Sequence, residues 1–449
     1  MWIFRAGTAR GVPAGCRCLA GLLSAGFLFI GCERAGDTGT LTYWCATNTF
    51  EIEFARQVVS EWNQDTTHIP VDFQPVPAGQ SSEEVILAAI VGKTTPDIYS
   101  NIWPGVVEQY RDAEAVIPFD QFSDFDSVLT SRLPAGLIEG FRSPNRHFYQ
   151  FPWKGNPLML YYNAGMLDEL GIGNMLPDTY EEFLSLGPRI AVDLTSDEHP
   201  DQWLLDPNIL SEWWQRFFDF YTFSIAATGG KTLIYNNRSQ LDRPETFQVM
   251  SFFRQGYSAG YFPRSIFQED IFLKGKVAFH VSGPWMVPYL ERYKPEDLHY
   301  GVTTLPLPAE SSEPVHTYGD PKSIVIFSTT YHPKQAWEFV KFFTSEANDR
   351  RLLEVTNQLP LRRNLVSDPY FVAYFNEHPK LRIFAEQIPY IVATDHTIYL
   401  QEIFDIISQE FDAACIHQAK PLDDAISDMQ ARVSTLIERE SLASKAGRK

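Results

Sequence analysis

"FLKGKVAFHVSGPWMVPYL", residues 272–290, begins with the pattern of a β-strand and ends on an unusual exit. Apolar residues alternate with smaller or polar ones over residues 277–281, as they do in a half-buried strand. Gly283 and Pro284 then end the strand, because proline has no backbone N–H for the sheet and glycine frees the turn. The pattern therefore predicts that Trp285 stands at the mouth of a strand.

Strand-like and helix-like segments alternate along the rest of the chain. The run "LTYWC" at residues 41–45 is typical of a buried strand, and apolar residues at helical spacing follow it over 50–62. Asn48 precedes that helix and Glu51 comes three residues later, which is the spacing of a capping box. Similar strand patterns return in "YGVTTLPLP" and "KSIVIFS", and a last amphipathic helix is predicted from Pro421. This alternation favours an α/β fold with mostly parallel sheets.

Composition limits the possible functions. The chain has 449 residues, of which 44% are hydrophobic, so two domains with well-packed cores are expected. The net charge of −19 argues against a nucleic-acid partner and against polybasic docking on anionic lipid. No Cys or His spacing typical of a metal site occurs, and we expect neither a metal ion nor a cofactor.

The N-terminal residues have the pattern of an export signal. Arginines precede an apolar run at residues 18–31, which is shorter than the roughly 20 residues needed to span a bilayer. Cys32 follows directly, which favours a lipoprotein signal over residues 1–31, an acylated Cys32 and a short linker over 32–40. An ordinary signal peptide with an incidental cysteine, or a short membrane anchor, stays open.

Two cysteines, Cys45 and Cys415, follow Cys32 in the sequence. A disulfide between them is possible in an exported protein, but two cysteines do not make a disulfide framework. We expect two free, buried thiols.

One hydrolase-like motif, "GYSAG", ends at Gly260. A nucleophile elbow of this type needs a preceding strand, whereas the residues before Ser258 have helical spacing. We expect Ser258 in the last turn of a helix, and we assign no catalytic residue.

Five motifs, in order along the chain, resemble the carbohydrate-type extracellular solute-binding proteins of bacterial ABC importers, the group that contains maltose-binding protein. They are "LMLYYNAGMLDELGIGNMLPDTYEEFLSL", "KGKVAFHVSGPW", "YGVTTLPLP", "YGDPKSIVIFSTTYHPKQAWEFVKFFTS" and "LQEIFDIISQEF". The similarity runs from about residue 41 to residue 437. It implies a two-lobe periplasmic-binding-protein fold, in which each lobe is a mostly parallel sheet flanked by helices and hinge crossings join the lobes.

The resemblance also implies where the chain passes between lobes. The first lobe is expected to comprise residues 41–152 and 308–355, and the second lobe residues 153–307 and 356–449. The hinge crossings are expected near residues 150–155, 303–308 and 355–361.

A ligand cleft between the lobes is implied, and it gives Trp285 a function. A sugar ring has an apolar face that can lie on an aromatic ring, while its hydroxyl groups hydrogen-bond in the plane. The ligand-binding residues expected on this basis are Trp285, Trp103, Asn101, Trp44, Asn48, Trp153, Trp214, Tyr318, Asp320 and Tyr390. Core packing is the alternative for each aromatic residue, and helix capping is the alternative for Asn48. A helix is expected to aim only one of Trp213 and Trp214 inward.

The function implied is that of an exported receptor, lipid-anchored to the bacterial membrane and facing the periplasm or the cell exterior. It would capture a sugar and deliver it, as a monomer, to ABC permease subunits with a separate ATPase. Two alternatives stay open: a glycoside hydrolase with an aromatic-lined cleft, which would need two carboxylates about 5–10 Å apart, and a ligand-sensing surface receptor.

Overall fold

A computed structural model shows the architecture and describes residues 39–78, 81–173, 175–193, 200–236, 238–311 and 313–446. The expected signal segment and the acylation site at Cys32 lie outside these residues. In the described part of the chain, helices cover two main sheets.

The strands are β1 Leu41–Cys45, β2 Val71–Pro75, β3 Ile98–Ile102, β4 Phe151–Gly155, β5 Met159–Asn163, β6 Trp203–Leu205, β7 Ile234–Tyr235, β8 Arg238–Ser239, β9 Val277–Ser282, β10 Tyr300–Thr303, β11 Thr317–Tyr318, β12 Lys322–Ile326, β13 Leu359–Pro360 and β14 Ile391–Val392.

The helices are α1 Thr49–Trp62, α2 Ser82–Gly92, α3 Val107–Asp112, α4 Phe125–Arg132, α5 Ala135–Ile138, α6 Ala164–Glu169, α7 Tyr180–Ser185, α8 Gly187–Ile190, α9 Phe220–Ala227, α10 Pro244–Ser258, α11 Met286–Tyr293, α12 Pro333–Phe343, α13 Glu346–Thr356, α14 Pro369–Glu377, α15 Pro379–Gln387, α16 Leu400–Phe411 and α17 Leu422–Ala446. A 3₁₀ turn at Trp213–Phe217 precedes α9.

The first lobe is built on a six-stranded sheet with the order β13-β4-β12-β3-β1-β2. β1 pairs in parallel with β2 and β3, whereas β12 pairs antiparallel with β3 and β4, and β13 pairs antiparallel with β4. Strands β1 to β4 thus run one way, and β12 and β13 run the other way. The expectation of mostly parallel pairing is therefore wrong for this sheet. The physical reason is that β4 leaves for the second sheet and β12 returns from it, so the returning strand enters at the end where β4 left.

The second lobe is built on a four-stranded sheet with the order β10-β5-β9-β6. β5 pairs antiparallel with β9 and β10, and β6 pairs in parallel with β9, so the expectation of mostly parallel pairing is wrong for this sheet as well. β9 covers the alternating residues of the opening stretch and ends at Ser282, one residue before Gly283, as the sequence predicts.

Aromatic side chains fill the contacts between sheets and helices. In the first lobe, Tyr43 of β1 packs against Phe339 and Phe343 of α12, with ring centroids 5.7 and 5.5 Å apart. In the second lobe, Phe279 of β9 lies 4.7 Å from Phe183 of α7. Alternate residues of a strand share one face of the sheet, so β9 buries one row of side chains under α7 and leaves other residues for a site.

Several local predictions are confirmed. Asn48 caps α1, because its side-chain oxygen accepts the backbone N–H of Glu51 at 2.9 Å. Ser258 is the last residue of α10, and α17 begins at Leu422. Cys45 and Cys415 are buried free thiols.

Three chain segments lie side by side where the sheets are linked. The backbone N–H of Asn156 donates to Gly319 O at 2.6 Å, and that of Leu158 donates to Tyr318 O at 3.0 Å. Gly319 in turn donates to Val392 O at 3.1 Å. A Cβ on Gly319 would stand 2.5 Å from Ile391, so this close approach requires glycine.

The expected domain boundaries differ from the sheets at two places. β4 extends to Gly155 and β13 covers Leu359–Pro360, and both belong to the first sheet, although residues 153–155 and 359–360 were assigned to the second lobe. β13 is two residues long and has no periodicity that could reveal its sheet. Among the described helices, none has the length and apolar character required to cross a membrane.

Candidate ligand site

Trp285 lies just beyond the end of β9, at the start of α11. Its indole ring folds back over Gly283, where a Cβ atom would stand 2.1 Å from the ring carbon Cζ3. Glycine is thus needed at position 283 for space as well as for ending the strand. The ring remains half-buried, because it packs on the core with one part and leaves the rest accessible.

A cavity of about 430 Å³, which we call the β9 cavity, lies beside Trp285. It is lined by Trp214 and Phe218 as well, and Phe218 contacts both tryptophans edge-on, with centroids 6.2 Å from Trp214 and 6.3 Å from Trp285. The volume is within the range of about 300–1,000 Å³ that is typical of small-molecule sites. Two of the expected ligand residues, Trp214 and Trp285, therefore meet at one cavity.

An ion pair forms part of the polar wall of the β9 cavity. Asp206, which directly follows β6, and His280 of β9 both line the cavity, and their Oδ1 and Nδ1 atoms are 2.8 Å apart. Burial lowers the pKa of His280, but Asp206 and Asp270 outweigh it, so the pKa lies above its usual value. The imidazolium is thus favoured beside the Asp206 carboxylate.

Two further polar residues, Gln215 and Asp219, line the same wall. The Gln215 side-chain oxygen accepts a hydrogen bond from the Asn208 amide. Asp219 is buried and pairs with Arg216 at 2.9 Å. Burial raises the pKa of Asp219 to about 6, although Arg216 lowers it.

A second group of expected residues meets where β3 and β12 lie side by side. The indole N–H of Trp103 donates to Asp320 Oδ1 at 2.8 Å, and Lys322 Nζ donates to the same oxygen at 2.7 Å. Lys322 also lies 3.9 Å from the centre of the Trp103 ring, and Tyr318 donates its hydroxyl to Asp320 at 3.3 Å. Burial lowers the pKa of Lys322, while Asp320 opposes this effect. Asp320 therefore fixes the Trp103 ring in one orientation.

Both tryptophans of the 3₁₀ turn point inward, one toward Trp103 and the other toward the β9 cavity. The sequence predicted an inward position for only one of them. Trp213 packs edge-on against Trp103 at 5.7 Å, and Trp214 lines the β9 cavity. The expectation that only one points inward is wrong because a 3₁₀ turn at this place lies between the two groups. Neighbouring residues can then reach opposite sides.

The structure places two expected ligand residues in the core. Trp153 is 1% exposed, stacks on Phe54 and donates its indole N–H to Ser100 O at 2.7 Å. Tyr318 is fully buried. Side chains without accessible surface have none to offer a ligand, so we correct both to core residues. Strand ends were expected to face the cleft, but the sequence does not tell which face of a crossing strand is buried.

Four other expected residues lie apart from the β9 cavity. Asn48 is occupied as the cap of α1. Trp44 and Asn101 are half-buried in the first lobe, and Tyr390 contacts His316 edge-on at 6.0 Å. None of the four lines the β9 cavity.

The polar wall of the cavity was not predicted from the sequence. His280 lies inside the opening stretch, where its polar character in a buried strand was a usable signal. Asp206 and Gln215 had no such signal, because β6 is three residues long and the 3₁₀ turn has no helical periodicity. A larger groove of about 740 Å³ lies between α7 and α10, but no expected ligand residue lines it. In the described part of the chain, no group of three or more His, Cys, Asp or Glu side chains is suited to a metal ion.

Comparisons with known proteins show which family the chain resembles. Residues 51–350 match the family profile of the bacterial extracellular solute-binding proteins. A maltotriose-binding protein of Pyrococcus abyssi is 22% identical over 344 residues, which cover 75% of this chain and 70% of the relative.

Solved structures share the fold. An uncharacterised protein of Listeria monocytogenes is 24% identical, with a TM-score of 0.78 over 89% of this chain and 99% of the other. The sugar-binding protein MalE of Xanthomonas citri is 18% identical, with a TM-score of 0.74 over 90% and 99%. These structures confirm the two-lobe α/β fold. The chain therefore belongs to the bacterial extracellular solute-binding protein family, a family of binding proteins and not of enzymes.

Proposed function

We propose that this chain is the sugar receptor of an ABC importer and that the β9 cavity holds one ring of the sugar. The observation that carries the proposal is the position of Trp285, held over Gly283 at a cavity that Trp214 also lines. Aromatic faces bind the C–H face of a sugar ring, and the polar wall offers partners for its hydroxyl groups. The relative from Pyrococcus abyssi is named for maltotriose, which supports a saccharide as the ligand here.

Trp103 extends the proposed site into the first lobe. Its ring is fixed by Asp320 and Lys322 and touches Trp213, the neighbour of Trp214. A sugar that spans both groups would link the lobes, which is how hinge-closing proteins convert binding into a change of shape. In this proposal, the closed receptor is recognised by membrane permease subunits, and an acylated Cys32 keeps it at the bacterial surface.

A thermal-shift screen tests the function. Purified protein is heated with neutral mono- and oligosaccharides, beginning with maltotriose. A sugar at about 100 times its Kd should stabilise the protein by roughly 2.7 kcal/mol. The same sugar should be recovered unchanged after prolonged incubation. Hydrolysis that scales with protein concentration would favour the glycoside hydrolase instead, and a screen without any stabilising sugar would contradict the proposal.

A further inference from the structure

Two adjoining grooves lie along α10, and the proposed function uses neither of them. The larger is the groove of about 740 Å³ between α7 and α10. The smaller, of about 440 Å³, lies between α10, the end of α9 and the segment that contains Pro308 and Pro314. Gln248 and Pro308 line both grooves, so the two form one continuous surface, which we call the α10 track. Among the described residues, none lines both this track and the β9 cavity.

The larger groove is lined on the α10 side by uncharged residues. They recur every three or four positions, as residues on one helix face do, and are Phe247, Gln248, Ser251, Phe252, Gln255, Ser258 and Ala259. Phe247 is 42% exposed. Arg254, in the same stretch, is directed elsewhere, because it donates to the backbone oxygens of Ala414 and Lys420. An apolar hollow with a polar rim, as found here, is typical of an interaction surface.

The charges that border the α10 track are negative. Glu181 of α7, Glu245 in the first turn of α10 and Glu313 line it, and none of the three forms an ion pair within the described part of the chain. Neither a lysine nor an arginine is among the described lining residues, of which His316 is the one basic side chain. The track therefore complements a positively charged partner and repels an anionic lipid surface.

The length of the track suits a peptide segment. A helix rises about 1.5 Å per residue, so the lining residues from Glu245 to Ala259 extend over roughly 20 Å. An extended segment covers that distance with about six residues. The aromatic rings of Phe247 and Tyr261 offer surface to its apolar side chains, and the exposed amide of Gln248 can hydrogen-bond to its backbone.

We infer that the α10 track is a docking surface for an extended, basic and apolar segment of a partner protein. Lysine or arginine side chains of the segment would meet Glu181, Glu245 and Glu313, and an apolar side chain between them would pack on Phe247. A second copy of this chain fits less well, because each copy carries a net charge of −19. The inference goes beyond the proposed function and does not depend on what the β9 cavity binds.

Fluorescence anisotropy tests the inference at about 0.15 M salt, where long-range attraction between charges is largely screened. The labelled probe is a short synthetic peptide in which lysines alternate with phenylalanine and proline. One control peptide carries glutamate in place of lysine, and the other carries serine in place of phenylalanine. The wild type should bind the probe at least about tenfold more tightly than either control peptide, because the track offers both carboxylates and an apolar floor.

Charge variants locate the binding on the track. Glu181→Gln combined with Glu245→Gln should weaken binding of the probe at least about fivefold, because two of the three carboxylates are removed. The matched control is Glu84→Gln combined with Glu377→Gln, which removes the same net charge from exposed positions on α2 and α14. This control should leave the affinity unchanged.

An aromatic variant tests the apolar part of the track. Phe247→Ser should also weaken binding of the probe at least about fivefold, because a partly exposed anchor for apolar side chains is lost. Tyr370→Ser removes a similarly exposed aromatic ring, 46% accessible, from α14 and should have no effect. Unfolding midpoints of all variants are compared with the wild type. Where a track variant is destabilised, Gln248→Lys replaces it, since an added positive charge at this exposed position should repel the probe.

The outcomes separate a docking surface from general attraction to an acidic protein. Loss of binding in the track variants alone supports the inference. A wild type that does not bind the probe, or that binds the serine-containing peptide as tightly, would overturn it. Equal losses in the track and control variants would do the same. Sedimentation that shows a dimer, dissociated by Phe247→Ser, would assign the track to a second copy instead. None of these results bears on sugar binding in the β9 cavity.

Discussion

Trp153 lies within strand β4 and Trp285 lies just beyond strand β9, and their surroundings give the two tryptophans different roles. Trp153 packs between Phe54 and Phe343, and its indole N–H donates a hydrogen bond to a backbone oxygen. Trp285 lies over a glycine and borders the β9 cavity. The same residue type therefore contributes to stability at one position and is available for ligand at the other.

We predict that Trp285→Ala weakens sugar binding by about 2–4 kcal/mol, or roughly 30- to 1,000-fold, because it removes an aromatic platform. Without ligand, the Trp285→Ala variant should lose less unfolding free energy than a variant with a large core residue replaced by alanine. Trp153→Ala is the matched control: it should cost about 3–5 kcal/mol of unfolding free energy and leave the affinity of the folded fraction unchanged. Denaturant unfolding and calorimetry of both variants provide the measurements. Preserved affinity in Trp285→Ala would contradict the stacking role.

Single residues also show what the sequence could predict. The Gly-Pro pair placed Trp285 correctly beyond β9, because both residues act on the backbone locally. Trp153 and Tyr318 were misplaced, since the buried face of a crossing strand depends on partners far along the chain. Asp206 and Gln215 were missed for a similar reason. Their role arises only when β6 and the 3₁₀ turn come together around one cavity.

At the scale of elements, the loop between β14 and α16 ties the lobes together. Asp395 accepts the backbone N–H of Ile234 at 2.7 Å and the hydroxyl of Tyr221 at 3.2 Å, both in the second lobe. His396, the next residue, places Nδ1 3.0 Å from Glu108 Oε1 and Nε2 2.8 Å from Gly140 O, both in the first lobe. Both ring nitrogens face acceptors, so the arrangement suits the doubly protonated imidazolium.

This contact predicts a pH-dependent stability. Burial lowers the pKa of His396, but Glu108 and the Gly140 carbonyl raise it above its usual value. Glu108 has a lowered pKa, because His396 and Arg111 outweigh its burial, and it stays ionised near neutral pH. A raised histidine pKa stabilises the fold fully below about pH 6.5, and the stabilisation is lost as pH rises through the higher folded-state pKa.

His396→Gln should therefore lower the unfolding free energy by roughly 1–3 kcal/mol at mildly acidic pH and by less at alkaline pH. Denaturant unfolding over a pH series measures the difference. His147→Gln, an exposed histidine beside Asp120, should show little effect at any pH. A pH-independent difference for His396→Gln would contradict the charged contact.

Helices and strands could be predicted from the sequence where a hydrophobic pattern repeats over many residues. The helices α1, α10 and α17 were expected close to where they occur, because their apolar residues repeat over several turns. The third crossing, expected near residues 355–361, stays a prediction: β13 in that range belongs to the first sheet, and β14 further along the chain pairs with β11. A strand of two residues is too short to show an alternating hydrophobic pattern. The pairing of β11 with β14 is therefore visible only in the backbone hydrogen bonds of the structure.

At the scale of the whole molecule, two lobes are joined by adjacent segments, and in the proposed function this receptor would have to stay close to its permease. The body begins with β1 at Leu41, and residues 33–40 separate it from Cys32. Fully extended, such a segment reaches at most about 30 Å. An acylated Cys32 would therefore hold the start of β1 within about 30 Å of the membrane surface. Stable anchoring needs two or more acyl chains, because one chain binds membranes only marginally.

We predict that the mature protein begins at a lipid-modified Cys32. Expressed in a bacterium, the wild type should remain in the membrane fraction, and intact-mass analysis should show loss of residues 1–31 and a gain of lipid mass. The Cys32→Ser variant should carry no lipid mass, and its mature lipoprotein form should not be detected. The serine hydroxyl cannot replace the thiol as the acylated group. Cys18→Ser changes a cysteine within the leader and should behave like the wild type. A mature N-terminus elsewhere, or an unchanged lipid mass in Cys32→Ser, would rule out this anchor while leaving sugar binding by the lobes unaffected.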